Sequence, residues 1–258
     1  MPPIIPPTDP IYAQSLLSHP PGSEPLPITS TITTLNLQPH IEGGYFVETD
    51  RDKLLVPNPF QNLPLLTNAT SKDTSTTRHA STTIYYLLTP KSPVGYFHRN
   101  RGRTVHTLHR GRGRYVLLHV DQRDEQGRVP VETFLVGQNI ERGERVQWIV
   151  EGGKFKASFL LPDRDSDRDD DDISVSGEEM GEMTDAYSDD EDGIGAGSEK
   201  GLLISETVVP GFEFSDHDFL TAEGMVDAFA NDDEVRDELR WLLKRGEQGR
   251  LDELVRKR

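Results

Sequence analysis

The sequence predicts an all-β fold, an antiparallel sandwich or barrel, with a C-terminal α-helix and one disordered acidic insertion. Three observations carry this. Short runs rich in Val, Ile, Thr, Tyr and Phe recur between turn signals with no helical pattern among them. After Gly211 the apolar spacing changes to the helical period. The acidic excess of 16 is concentrated rather than spread: Asp163 to Glu199 holds 16 Asp and Glu against two Arg, a net of −14, which leaves −2 for everything else.

Half of the 18 prolines precede Ile28. Proline fixes φ and lacks a donor, so residues 1–27 are expected to be an arm, partly extended and partly loose, with a short helix from Ile11 to Leu17. From Ile28 to Leu37 the β-branched content suits a strand, while the spacing of Ile28, Ile32 and Leu35 suits a helix of entry. Gly43 and Gly44, which permit a tight turn, open a clearer strand, in which Phe46 and Glu48 share one face and Tyr45 and Val47 the other. Asp52 to Thr77 reads as a long loop. Residues 81–89, STTIYYLLT, form the strongest strand, apolar enough to be buried on both sides.

Further strands are expected at Val94 to His98, Thr104 to His109, Arg114 to Val120, Val131 to Val136, Val146 to Val150, Phe155 to Leu161 and Leu202 to Val209. Turn signals at 110–113, 125–127 and 151–153 separate several of them. The acidic stretch, residues 163–199, falls between two strands. Its self-repulsion and scarcity of apolar side chains predict disorder, and Ser188 before Asp189, Asp190 and Glu191 is a candidate phosphorylation site. Between Asp233 and Arg256, Val235, Leu239, Leu242, Leu243, Leu251 and Leu254 define a helix that takes in Trp241, with a break expected near Gly246 and Gly249.

Composition excludes several classes. Without cysteine there are no disulfides, thiolate nucleophiles or Cys-based zinc sites. A nearly neutral body offers no basic footprint for nucleic acid. No window resembles a signal peptide or membrane span, so a soluble cytoplasmic protein, with the nucleus as an alternative, is expected. No membrane partner is expected either.

Three segments together, PHIEGGYFVETDR at 39–51, STTIYYLL with FHRNRGRTVHTLHRGRGRYVLL at 81–118, and TVVPGFEFSDHDF at 207–219, resemble the cupin family of domain of unknown function 985 (cupin type 5), close to the RmlC-like cupins. The resemblance implies a double-stranded β-helix, or jelly-roll barrel, over residues 28–220, interrupted by the insertion and followed by a helical segment at 221–258. It also implies a homodimer and an interior pocket. Relatives in the superfamily include epimerases, isomerases, metal-dependent oxygenases and ligand-binding proteins, so fold alone does not choose among them.

Metal-binding cupins contribute two His and a Glu from a first motif and a further His from a second. Here the first region offers His98, His106 and His109, but Arg103 and Thr104 stand where the acid would be, and Lys156 stands where the last His would be. A protonated ammonium is no ligand. No cofactor is therefore the first expectation, with a divalent metal on Glu48, His98 and His106 as the alternative. The Arg-rich set of Arg78, Arg99, Arg101, Arg103, Arg112 and Arg114, with Lys156, suggests a small anionic or sugar-like ligand. Its candidate contacts are Glu48, Arg99, Arg103, His106, Trp148 and Lys156, with Phe155 beside Trp148 as apolar wall. For an RmlC-like epimerase or isomerase, His98 is the base candidate and Tyr45 and Tyr86 are the acid candidates, with Asp50, Glu48 and Asp216 competing to orient the base. Phe212, Phe214 and Phe219 are expected in the core, and Asp216 and Asp218 as turn caps or partners of Arg. A different class remains open: a scaffold whose acidic loop recruits basic proteins.

Overall fold

The computed structural model describes residues 2–64, 66, 75–163 and 197–257. Residues 164–196 of the acidic stretch lie outside the described residues, and with them the Ser188 site and the disorder expected there. In chain order the helices are α1 (Asp9–Ser18), α2 (Leu26–Thr34), α3 (Ala222–Ala228), α4 (Asp233–Leu239) and α5 (Arg245–Arg256). The first strands are β1 (Gln38–Pro39), β2 (Tyr45–Arg51), β3 (Leu55–Pro57), β4 (Thr77–His79), β5 (Thr82–Leu88), β6 (Val94–Asn100) and β7 (Arg103–Arg110). They are followed by β8 (Gly113–Leu118), β9 (Val131–Val136), β10 (Gln147–Val150), β11 (Phe155–Leu160), β12 (Leu202–Val209) and β13 (His217–Phe219).

A six-stranded sheet runs β1-β2-β5-β12-β7-β10 and a five-stranded sheet runs β13-β6-β11-β8-β9, with β3 and β4 as a separate pair. Every pairing between these strands is antiparallel. The closed barrel expected from the strand count is not what forms: among the described residues these are two open sheets. Their ends include strands of only two, three and four residues, β1, β13 and β10, which leave little backbone to continue pairing from one sheet to the other.

Period-2 alternation sorts the side chains into layers. Between the sheets lie Tyr86, Leu88, Leu108, Tyr115, Trp148, Leu160 and Ile204. Leu87 and Leu203, of opposite parity on β5 and β12, pack with Ile28 of α2 on the outer side of the six-stranded sheet. This settles the ambiguity at Ile28 as a helix: one apolar face is enough when only one side of the segment meets the sheet. On the outer side of the five-stranded sheet, Phe97, Val116, Phe155 and Phe159 meet Met225, Leu239 and Leu251 of the C-terminal helices.

The N-terminal arm is not loose. Ile5 and Ala13 are buried in that same cluster, and the amides of Ile4 and Ile5 donate to Glu238 of α4 at 3.1 and 2.6 Å. A carboxylate thus satisfies the two donors that the surrounding prolines leave in this stretch. The C-terminal segment also differs from expectation. It breaks at Leu243, in extended conformation after a 3-10 turn over Arg240–Leu242, while α5 runs through Gly246 and Gly249. An additional helix, α3, precedes it, capped by the Thr221 side chain and by Glu247, which accepts from the Ala222 amide at 2.7 Å. Phe214 is exposed rather than core, because its 3-10 turn directs Asp216 inward to Arg78 instead. No helix among the described residues is long and apolar enough to cross a membrane.

If the arm is packed as described, Ile5→Ala lowers unfolding stability by about 2 to 5 kcal/mol. Urea denaturation measures this, and a change near zero would mean that the arm does not contribute to the core.

Candidate functional site

Charged side chains occupy inward positions of strands that are largely apolar on that face. His106 on β7 lies opposite Glu206 on β12 and Trp148 on β10, and all three are buried. Lys156, on β11 of the facing sheet, brings its Nζ to 2.6 Å from Glu206 Oε2 and 2.9 Å from His106 Nε2. His106 Nε2 is itself 3.3 Å from Glu206 Oε2. The Trp148 ring stacks on the imidazole at 5.1 Å, and Tyr115 meets it edge-on at 5.6 Å. Burial would push the Glu206 carboxyl up, but the Lys156 ammonium, with His106, holds it well below the ordinary carboxylate range. Burial and the same ammonium push His106 down. The centre is therefore an ion pair of Lys156 and Glu206 with a neutral imidazole beside it.

A second centre grows from the turn at 40–44. Gly43 and Gly44 adopt φ of +101° and +69°, and a Cβ on Gly43 would lie 2.0 Å from Val94 O, so the turn can press against β6 only as glycine. Tyr86 Oη donates to Gly43 O at 2.9 Å and the Tyr96 amide to Glu42 O at 2.8 Å. Held this way, the buried Glu42 carboxylate is ringed by imidazoles. His217 Nε2 donates to Oε1 at 2.8 Å, while His98 Nε2 and His40 Nδ1 stand 3.1 and 3.4 Å from Oε2. The His98 and His217 rings are stacked at 5.5 Å.

A β-bulge delivers His98 to this position. Lys156 pairs with His98 but Ser158 pairs with Gly95, so β6 carries one extra residue there and both Gly95 and His98 face inward. Gly95 leaves room for Tyr86: a Cβ would meet Tyr86 Oη at 2.7 Å and Ser158 Oγ at 2.8 Å. His217 is turned inward because its neighbour Asp218 faces the other way to pair with Arg99 at 2.9 Å.

His98 Nδ1 lies 2.8 Å from Tyr96 O, and since a carbonyl only accepts, Nδ1 carries the hydrogen. Nε2 of the neutral ring then presents a lone pair to the interior without a hydrogen-bond partner, its approach to Glu42 being out of line for one. Burial is the largest influence on His98; Lys156 and His217 act with it, Glu42 opposes, and the imidazole is pushed down to about 3. Burial raises the Glu42 carboxyl, but the imidazoles of His98 and His40 and the His217 hydrogen bond outweigh it and hold it well below its usual range. Burial, with Glu42 and Glu206 nearby, keeps the Tyr86 phenol protonated far above its ordinary range.

The expected residues separate into two groups. His98, His106, Trp148, Lys156 and Tyr86 meet in the interior. Tyr45 packs in the outer cluster under α2. Glu48 sits at the exposed rim, paired with Arg51 at 2.7 Å, and Phe155 lies on the helix side beneath Arg99. Each remaining Arg of the cationic set meets a carboxylate of the chain: Arg78 and Arg101 meet Asp216, Arg103 meets Glu151, Arg112 meets Glu144, and Arg114 meets Asp9. Sequence reasoning missed Glu206, His217, His40 and Glu42. Glu206 left a signal, a carboxylate at inward parity between Ile204 and Val208 in an apolar strand. His217 left none, since β13 is only three residues long.

The metal that the fold would accommodate does not fit these residues. Glu48 is at the rim, His98 Nε2 lies 3.1 Å from the Glu42 carboxylate, and His106 Nε2 faces Lys156. Among the described residues no three or more His, Asp or Glu are arranged to hold a metal ion.

A family model described as Cupin superfamily (DUF985) matches residues 29–220. An uncharacterized protein of Saccharomyces cerevisiae is 38% identical over 213 residues, which cover 83% of this chain and 85% of that protein. Among solved structures, a hypothetical protein from Leishmania major superposes with a TM-score of 0.55 at 26% identity, over 81% of this chain and 96% of that one. A protein from Shewanella oneidensis superposes with a TM-score of 0.52 at 19% identity, over 84% and 98%, a likeness of fold alone.

Two outcomes follow from the buried charges. Because the folded His98 titrates near 3 rather than 6.5, the unfolded chain binds the extra proton, so stability is full above 6.5 and falls as pH drops toward 3. The slope is at most about 1.4 kcal/mol per pH unit for this group. The depressed Glu42 and Glu206 add losses only once pH falls below their ordinary value of 4.5. The melting temperature of His98→Gln should therefore fall less steeply than wild type between pH 6.5 and 4.5; parallel curves would sink the assignment. Separately, Lys156→Met strands Glu206 and costs about 3 to 5 kcal/mol. Denaturant unfolding should show much of that loss recovered in the double variant Lys156→Met/Glu206→Leu.

Proposed function

This chain belongs to the DUF985 family of the cupin superfamily, and we propose that its interior binds a small, uncharged, sugar-like molecule bearing hydroxyl or carbonyl groups. The observation that carries the reading is the unpartnered His98 Nε2 beside the ionised Glu42 carboxylate. Buried polar atoms ordinarily have partners, and a ligand hydroxyl can donate to such an acceptor. An anionic ligand is less well supported. The arginines that suggested one are matched by carboxylates, and the interior already holds Glu42 and Glu206 against one ammonium.

A second reading, proton transfer as in an epimerase or isomerase, is favoured by the His98 tautomer. With Nδ1–H held by Tyr96 O, Nε2 can accept a proton from carbon next to a carbonyl. The C–H electron pair then moves to form the enolate, the imidazolium rests against Glu42, and the proton returns to the same carbon or its neighbour. Binding ranks ahead of catalysis because general bases work best with a pKa near the operating pH, and His98 at about 3 lies far below it.

The test is a ligand-observed NMR screen of neutral sugars, sugar nucleotides and organic acids, followed by calorimetry. A neutral hydroxyl- or carbonyl-bearing compound should bind, and binding should weaken at least about tenfold, the equivalent of one hydrogen bond to a charged or buried group, in folded His98→Ala and Glu42→Gln. Binding of anions alone, indifferent to both substitutions, would refute the reading. For the second reading, deuterium from solvent should enter a bound carbonyl compound at the adjacent carbon and should cease to do so in His98→Ala.

A further inference from the structure

We infer that the Lys156 ammonium is a built-in replacement for a metal ion: it occupies the point on which Glu206 and His106 converge and keeps divalent cations out of a site whose other donors would take one. The argument is geometric. A carboxylate oxygen and an imidazole nitrogen 3.3 Å apart both face Nζ, at 2.6 and 2.9 Å. An ammonium has only donors, so His106 Nε2 must offer its lone pair to it, as it would to a metal. Both groups thus turn lone pairs toward one point, as metal ligands do. A buried carboxylate also requires a positive partner at this point, which the chain supplies on a strand of the opposite sheet.

The ligand types are right for zinc or cobalt(II), and position 156, where a third donor could stand, carries an amine that donates to both. His98 lies directly across the strand pair from that position, with Nε2 unpartnered. The inference rests on the Glu206 and His106 contacts to Lys156, shares only His98 with the proposed ligand contacts, and needs no knowledge of the ligand.

The test equilibrates untagged full-length protein with excess cobalt(II), removes free ion by desalting, and measures cobalt per chain and its visible absorption. Lys156→His is expected to retain about one ion per chain more than wild type, with the intense absorption of a low-coordinate site, and to lose it when Glu206→Gln is added. If Lys156→His is unfolded without metal, its melting transition with and without cobalt(II) decides, and a metal-dependent rise supports the inference. Cobalt that wild type retains through both Glu206→Gln and His106→Ala is bound elsewhere and is subtracted. The inference is overturned if wild type binds an ion that these substitutions remove. It is equally overturned if Lys156→His gains neither an ion nor metal-dependent stability.

Discussion

The ion pair between Lys156 and Glu206 is the constraint to which the rest of the interior conforms. Withdrawing an ammonium and a carboxylate from water costs several kcal/mol for each ion, and their attraction offsets this only at close range with further hydrogen bonds. The 2.6 Å approach and the His106 contact meet that condition. They do so only if β11 and β12 keep their parity. A one-residue slip of β11 would turn Lys156 toward the outer apolar cluster of Phe97, Val116 and Met225, turn Phe155 and Phe159 inward, and leave Glu206 unmatched. The pair and the strand register therefore specify one another, and the apolar helices covering the outer face reinforce the same choice.

The Glu42 centre depends on a different device, the absence of side chains. Gly43 lets the turn approach Val94, and Gly95 lets Tyr86 reach the turn. With those positions empty, one carboxylate collects three imidazoles while Tyr86 holds the Gly43 carbonyl and Tyr96 the Glu42 carbonyl. The two centres act on each other electrostatically. Lys156 helps push His98 down while Glu42 opposes it, and Glu42 works against ionisation of Glu206, so the interior works as one connected polar core. Its excess of carboxylate over ammonium is what turns the functional reading toward neutral ligands.

Much of the fold was legible locally. The strands from Val131 to Val136 and from Leu202 to Val209 lie where β-branched content and turn signals put them. The switch to helical spacing after Gly211 was equally readable, although the break at Leu243 was not, because Gly246 and Gly249 are tolerated in open space on α5. The motif around His98 and His106 pointed to the interior. The partners of the arginines were not legible, since a run of guanidinium groups looks the same in sequence whether or not each meets a distant carboxylate such as Asp216 or Asp9.

By itself the sequence determined that strands dominate, which residues alternate along them, and that His98, His106, Lys156 and Trp148 stand on strands, because periodicity and residue type are local properties. Only the tertiary structure decided that the bulge in β6 turns His98 inward, that Glu42 and His217, 175 positions apart, share one hydrogen bond, and that Lys156 meets Glu206 across the sheets. Those outcomes follow from register and from contacts between distant segments, and a buried charge finds its partner only where the folded chain brings one within reach.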